Sequence, residues 1–546
     1  MRWLGLGCVA MWTGMGSVCL MGQAASSDLA AKVQAIVAET GVSRAHWGVE
    51  VTALDGTQIY GMNEGQMFQP ASNAKLFTTA AAIALLGPET TFTTKIVGRG
   101  VFTGKERLKG DVVLVGSGDA NLSGRTIPYL SPKDRPKKVA GEMPVNPLRH
   151  LAEMADQVVA TGLKVVEGDV VGDDTLFAWE PYPSDWSIDD AVWGYGAPVS
   201  ALTVNDNQIA VTVAPGRKGG DPVSIVIDPA LPGYYRIDAT GLTTGAAKSG
   251  SHVQMERMIG SRVLRIYGTI ATDAAPDEEE VAIEDPAEFA AVALKGMLQA
   301  RGVEVTGRAR AEHRIATESK GFLSASAIPD ATVKAWPKDV GLMNGLGAIL
   351  CSEMYPSRQN GDVRMLAERR SVSLKDDVTV TNKVSQNLHA ELLLEQVSHR
   401  YTCGPNRAEG ARIVRELMMR DVKIDGDDFI FYDGSGLSGH DLVTPRAMAK
   451  LLVWASTQLW FADWKRSLPI GGEDGTLISR FSKAPLKDNL FAKTGTLGEA
   501  RALSGYMVGA SGKTVVFSVM VGNHTPRTTA DREAMDRIVA AIAEAN

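Results

Sequence analysis

Apolar and polar positions alternate over residues 47–54, turn at Asp55-Gly56, and alternate again over 58–61, the pattern of an antiparallel hairpin. Residues 72–86 are rich in Ala and Leu without Gly or Pro, and predict a helix that stops at Gly87-Pro88. From 91 to 270 the pattern changes. Short β-like runs recur at 93–97, 111–115, 165–171, 209–213, 223–227 and 263–266, broken by one helix near 147–161. Helical periodicity returns at 285–301, 384–399 and 409–420, and strands are predicted at 489–492, 502–508 and 514–521. In the last helix Met535, Ile538, Val539 and Ile542 fall at i, i+3, i+4, i+7 and mark an apolar stripe.

Strands at both chain ends and helices between them predict one α/β (α+β) domain whose sheet uses both ends, with a β-rich domain or two inserted. The expected division is a leader over 1–25, a first catalytic part over 26–98, the insert over 99–280 and a second catalytic part over 281–546. Residues 316–370 fit neither periodicity, carry Pro329, Pro337 and Pro356, and are expected to be a loop-rich insertion, most simply a surface loop of this lineage. The acidic run Asp277-Glu278-Glu279-Glu280 reads as a solvated loop, and there is no tandem repeat.

Composition adds less. The 546 residues are 45% apolar and 22% charged, ordinary for a globular chain with a sizeable core. A formal net charge of −7 argues against a general nucleic-acid binder, which needs concentrated positive surface. Arg2, the apolar stretch 3–20 and the small residues Gly22, Ala24 and Ala25 have the form of a cleaved secretory signal, the alternative being an uncleaved anchor. Export to the periplasm follows as an expectation, with at most peripheral membrane association. Of four cysteines, Cys351 and Cys403 would remain after cleavage, and whether they pair is left open. The eight histidines show no His-Glu-x-x-His spacing.

Three short motifs carry the candidate chemistry. Ser72-Asn73-Ala74-Lys75 puts a hydroxyl and an amine on one helix face, where a lysine of lowered pKa can take the serine proton. Alone it is weak, since Ser-x-x-Lys arises by chance about once or twice in such a chain; a solvated surface lysine is the plainer alternative. Ser385-Gln386-Asn387 opens a predicted helix, where Ser385 is a candidate proton relay, or simply an N-cap, and Asn387 a candidate amide holder. Lys493-Thr494-Gly495-Thr496 follows an apolar run. On a strand edge it offers an amine and two hydroxyls to a carboxylate, with Gly495 admitting a close ligand, or else it is a turn.

The order Ser-x-x-Lys, Ser-x-Asn, Lys-Thr-Gly, each on a suitable element, is the signature of penicillin-recognising serine enzymes. The chain resembles the class C low-molecular-mass penicillin-binding proteins, the D-alanyl-D-alanine carboxypeptidase/endopeptidases. The resemblance runs over Gln69–Lys75, Gly116-Ser117-Gly118-Asp119, Asn382–Glu391, Asp433-Gly434-Ser435-Gly436-Leu437-Ser438, Asp474-Gly475-Thr476-Leu477 and Lys493–Thr496. The 313 residues from Ser72 to Ser385 match the family's long insert and would not fit within a class A β-lactamase.

The resemblance implies a penicillin-binding/β-lactamase-like transpeptidase domain, an antiparallel sheet flanked by helices. It implies Ser72 as nucleophile on the penultimate D-Ala of peptidoglycan stem peptides and Lys75 as acylation base. Ser385 and Lys493 would relay a proton to the leaving D-Ala, Asn387 would orient an amide, and Thr494 and Thr496 would hold the terminal carboxylate. The Ser72 and Thr496 N–H groups would form the oxyanion hole. β-Lactams are the implied inhibitors, and no metal or organic cofactor is implied. An arginine that follows the Asp-Gly-Ser-Gly-Leu-Ser motif in some relatives is Gly439 here. Trp186, Asp189, Asp190 and Tyr195 lie in a segment that resembles one near the family's active site. An acid there would meet a diaminopimelate amine, or the segment is an ordinary surface loop, while Trp193 is assigned to packing. Two other functions compete: a non-catalytic penicillin-binding scaffold or sensor, and a β-lactamase or esterase on the same fold.

Overall fold

The computed structural model describes residues 28–137, 145–315, 363–402, 406–526 and 528–546. The leader expected over 1–25, both Cys351 and Cys403, and most of the expected loop-rich insertion lie outside the described residues.

Strands β1 (His46–Ala53) and β2 (Gln58–Met62) form the predicted hairpin at one side of a five-stranded antiparallel sheet. Its other members are β3 (Leu490–Leu497), β4 (Ala500–Val508) and β5 (Thr514–Gly522), in the order β3-β4-β5-β1-β2. The chain ends thus meet at the β1–β5 pairing, His46 opposite Gly522 and Ala53 opposite Val515. β5 reads as a continuous apolar run because both of its faces are covered. Val515, Phe517, Val519 and Val521 pack with Met535, Ile538, Val539 and Ile542 of the last helix, Ala530–Ala545. Val516 and Met520 pack instead with helix α1 (Ala74–Leu86).

α1 is buried on nearly all sides, which its Ala-rich sequence, with Lys75 as the one ionisable side chain, permits. It ends at Gly87, at φ +90°. It begins two residues later than the 72–86 pattern predicts: Ala71–Asn73 form a 3₁₀ turn first, with Ala71 in the left-handed region at φ +46°. Ser72 therefore sits on a strained turn at the head of the helix, not within it. Helices α2 (Leu374–Lys383) and α3 (Asn387–Tyr401) pack beside α1, and Ser385 lies between them at φ +61°.

A second sheet of seven strands, and two of three strands each, fill the middle of the chain around a separate apolar core. Here the structure differs from four expectations. The expected boundary at 98/99 falls inside the strand Thr93–Thr103, which pairs wholly within the second sheet. Helix Pro286–Ala300 buries Phe289, Leu294 and Leu298 in the second core, and Ala309–Arg314 pairs with Val170–Ala178. Residues of 286–314 thus pack with the second core rather than with the five-stranded sheet. An amphipathic pattern announces a buried face without saying which core it fills.

Residues 363–370, expected as loop, form the strand Val363–Arg370 against Thr93–Thr103. A bulge between Met365 and Ala367 breaks its alternation, which hides the strand from a period-two reading. The acidic run is the start of strand Asp277–Ala282, at a sheet edge with Glu278, Glu279 and Glu280 exposed. Charge on an edge strand deters pairing with other chains. Trp193 packs against the second core and bridges to Val281.

The two units are joined by a buried charge cluster. His389 of α3 is fully buried, its Nδ1 2.7 Å from Asp377 Oδ1 and its Nε2 3.3 Å from Asp206 Oδ1 of the second unit. Asp206 also takes an ion pair from Arg125 and a bond from Gln386 Nε2. Burial lowers an imidazole pKa, but the Asp377 and Asp206 carboxylates raise that of His389 to about 9.

Because this lies above the unfolded value, the cluster's stabilisation is complete below about pH 6.5 and lost as pH rises through about 9. The melting-temperature advantage of the wild type over His389→Asn should shrink between about pH 7 and 10, followed by thermal denaturation. A constant gap would exclude His389 as an ionised tie.

Candidate active site

The Ala71–Asn73 turn, the α2–α3 junction and strand β3 converge on one pocket, and each presents its motif there. Lys75, fully buried on the first turn of α1, lies 2.9 Å from Ser72 Oγ. Its ammonium also donates to Asn387 Oδ1 at 2.6 Å and to the Ser435 carbonyl at 2.7 Å. These three acceptors satisfy the three N–H groups of a protonated lysine; the neutral amine frees a lone pair able to take the Ser72 proton. Burial pulls the Lys75 pKa down, the carboxylates of Asp433, Glu391 and Asp441 push it back up, and the net value is about 7.

Lys493 is the second fully buried lysine. Its Nζ donates to Ser385 Oγ at 2.8 Å and to the Thr494 carbonyl at 2.8 Å. Burial, then the charge of Lys75, push its pKa well below the ordinary value. Ser385 is not the N-cap of α3: Gln386 fills that place, accepting Leu388 N–H at 3.0 Å, so the Ser385 hydroxyl is left to Lys493. Asn387 is held from its other end, Nδ2 donating to the Tyr195 carbonyl at 2.9 Å.

Strand β3 is fastened against the serine turn. Asn73 Nδ2 donates to the Lys493 carbonyl at 3.1 Å. A Cβ at Gly495 would come within 2.5 Å of the Pro70 carbonyl, so glycine is required there for strand and turn to touch, a need the sequence did not suggest. Gly436 does the same from the opposite side, where a Cβ would overlap the Ala71 carbonyl.

Thr494 Oγ1 donates to Thr476 Oγ1 at 2.7 Å, and Thr496 is exposed, with Arg501 Nη1 3.4 Å from its hydroxyl. Thr476 follows Asp474, whose carboxylate takes Lys383 Nζ at 2.6 and 2.8 Å. This explains the quoted Asp-Gly-Thr-Leu motif: it ties the end of α2 to the Lys-Thr-Gly strand.

Of the residues expected at the substrate side chain, Tyr195 reaches the site through its carbonyl. Its half-exposed ring donates its hydroxyl to Asp190 Oδ1 at 2.9 Å, and burial together with Asp190 raises the phenol pKa. Asp189 is exposed, and among the described residues no hydrogen bond links it to the three motifs. The residues that sequence reasoning left without a role are Glu391, Asp433, Ser435 and Asp441, which surround Lys75 from behind. The Asp-Gly-Ser-Gly spacing was their signal, since two glycines beside a carboxylate mark a tight buried turn. Among the described residues no group of three or more His, Cys, Asp or Glu side chains is placed to hold a metal ion.

Two serine–lysine pairs beside an antiparallel sheet backed by helices define a penicillin-binding serine hydrolase of the low-molecular-mass class C kind. The sequence pattern of the D-Ala-D-Ala carboxypeptidase 3 (S13) family matches residues 29–326 and 347–544, and the chain belongs to that family. It is a serine-type D-Ala-D-Ala carboxypeptidase. The D-alanyl-D-alanine carboxypeptidase of Actinomadura sp. (strain R39) is 29% identical over 511 residues, 91% of this chain and 82% of the relative. D-alanyl-D-alanine carboxypeptidase DacB of Haemophilus influenzae is 23% identical over 478 residues, 86% of this chain and 84% of that protein. The crystal structure of penicillin binding protein 4 (dacB) from Haemophilus influenzae superposes with a TM-score of 0.72 at 20% identity, covering 95% of this chain and 98% of that one. A second structure of it, complexed with a β-lactam, gives 0.66 at 21% identity.

Gly495→Ala should destabilise the fold by about 1–3 kcal/mol, the usual cost of overpacking, read by chemical denaturation. A neutral result would mean that β3 and the serine turn are not in contact.

Proposed function

We propose that Ser72 is the nucleophile and Lys75 its base in hydrolysis of the terminal D-Ala-D-Ala bond of peptidoglycan stem peptides. The observation that carries this is the Ser72–Lys75 contact, with the amine dry and its pKa near neutrality. Neutral Lys75 takes the hydroxyl proton as Ser72 Oγ attacks the carbonyl carbon of the penultimate D-Ala. The oxyanion is received by the N–H groups of Ser72 and Thr496. As the C–N bond breaks, Ser385 passes a proton to the departing amine and is reprotonated from the Lys75 ammonium by relay through Lys493, which returns Lys75 to the neutral amine. The second Nδ2–H of Asn387 orients the stem amide, and the hydroxyls of Thr494 and Thr496 take the terminal carboxylate. Water then attacks the Ser72 ester, Lys75 accepts its proton and returns it to Ser72 Oγ as the ester bond breaks, and the shortened peptide is released.

The bond in a D,D-cross-link is chemically alike, so endopeptidase action belongs to the same reading. A β-lactam carbonyl is attacked in the same way, but its amine stays tethered in the acyl group, which makes such compounds inhibitors. The substrate places the enzyme outside the inner membrane, in the periplasm, where the leader over 1–25 would deliver it. No helix among the described residues is long and apolar enough to cross a membrane.

Intact-mass spectrometry with penicillin should give one adduct on the wild type and none on Ser72→Ala, and the wild type should release D-Ala from a pentapeptide. Folded wild type without an adduct would refute the nucleophile. Ser385→Ala should lower D-Ala release by about 10²–10⁴-fold, the range for a lost general acid. Since the amine is the active form, acylation should fall tenfold per pH unit below about 7 and level off above it, and a flat profile would exclude Lys75 as the base.

A further inference from the structure

Asp433 lies behind Lys75 and takes no part in the steps above, yet it is 2% exposed and accepts five hydrogen bonds. Its Oδ1 takes the N–H groups of Ser435 at 3.1 Å and Gly436 at 2.6 Å. Its Oδ2 takes Ser438 N–H at 2.7 Å and the Ser435 hydroxyl at 3.2 Å. The fifth donor is the indole N–H of Trp186, at 2.8 Å. Four donors belong to the turn that Asp433 itself begins; the fifth comes from the second unit, 247 residues earlier in the chain. The turn so held offers Lys75 its Ser435 carbonyl, and Gly436 in the same turn abuts the Ala71 carbonyl beside Ser72.

We propose that Asp433 is the positioning residue for Lys75, and that the Trp186 indole tunes it, which makes the second unit part of the base's surroundings. This rests on the reading of Lys75 as the acylation base. Asp433 acts in two ways: it fixes the carbonyl that receives the ammonium, and its charge favours the protonated amine.

The other charged groups facing Lys75 are Glu391 of α3, Asp441 at the far end of the loop and Lys493 of β3. Glu391 is pushed up to about 7 by burial and by Asp433, with Arg407 3.3 Å away opposing the rise, and Asp441 is pushed up by burial and by Asp433. Asp433, with five donors, is the most heavily hydrogen-bonded carboxylate of the acidic trio. The Trp186 N–H turns the positive end of its dipole to Asp433 and offsets part of the field at Lys75. Removing that N–H leaves the Asp433 carboxylate on three backbone N–H groups and one hydroxyl, and leaves its field at Lys75 stronger.

The two contacts therefore predict shifts of opposite sign. The rate of penicillin acylation, followed by intact mass from about pH 5 to 10, locates the acidic limb. Asp433→Asn removes the charge and should move that limb down by about one unit, the lower end of the range for a neighbouring opposite charge. Trp186→Phe should move it up, by less. Melting temperature and the fraction of enzyme that acylates are measured alongside, because a merely structural contact would lower those and leave the limb in place. A limb unmoved in Trp186→Phe, or moved down, overturns the proposal; this variant alone decides if Asp433→Asn does not fold. A wild type without any limb near neutrality overturns the Lys75 reading itself and the tuning with it, whereas a wild-type limb that Trp186→Phe fails to move overturns the tuning alone.

Discussion

Two lysines with no solvent exposure share one pocket, and the rest of the structure answers to that. Burying one ammonium is costly and burying two side by side is more so, because each destabilises the other's charge. The fold resolves this by giving them unlike surroundings. Lys75 has three hydrogen-bond acceptors and three carboxylates behind it, which return its pKa to about 7 against the pull of burial. Lys493 has a hydroxyl, a carbonyl and Lys75 for neighbours, and burial together with the Lys75 charge pushes its pKa well below the ordinary value. Two chemically identical side chains thereby meet unlike electrostatic surroundings in one pocket.

Dryness on that scale demands close packing around the serine turn. Ala71 adopts a left-handed conformation, Gly436 and Gly495 press on the turn from two sides, and α1 is buried along nearly its whole length. Both glycines are needed where three chain segments, drawn from residues near 70, 436 and 495, pass within van der Waals contact. The Asp474–Lys383 bridge and the Thr476–Thr494 bond then lock the strand that carries Lys493 to the helix that precedes Ser385.

The inserted unit is joined to this pocket more intimately than a tolerated insertion would be. The Tyr195 carbonyl holds Asn387, the Trp186 indole holds Asp433, and Asp206 holds both Gln386 and His389. Asn205, Asp206 and Asn207 all have positive φ without being glycine, a local strain that the buried Asp206 contacts hold in place. The Ser385–Asn387 junction is thus clamped between its own helices and a turn some 180 residues earlier.

Local order was legible in the chain wherever one element answers to one pattern. The hairpin, the doubly covered strand 514–522, the stripe of the last helix and the three motifs follow from periodicity and from the chemistry of serine, lysine and asparagine. Patterns failed where two signals overlap: a bulge erased the alternation of Val363–Arg370, edge-strand charge made Asp277–Ala282 look like loop, and Gln386 rather than Ser385 capped α3. What the sequence determined by itself was which residues carry chemistry and on which kind of element. Only the tertiary structure decided their protonation, the purpose of Gly495, and the reach of Trp186 to Asp433, because burial and field depend on neighbours hundreds of residues away, and no local window contains them.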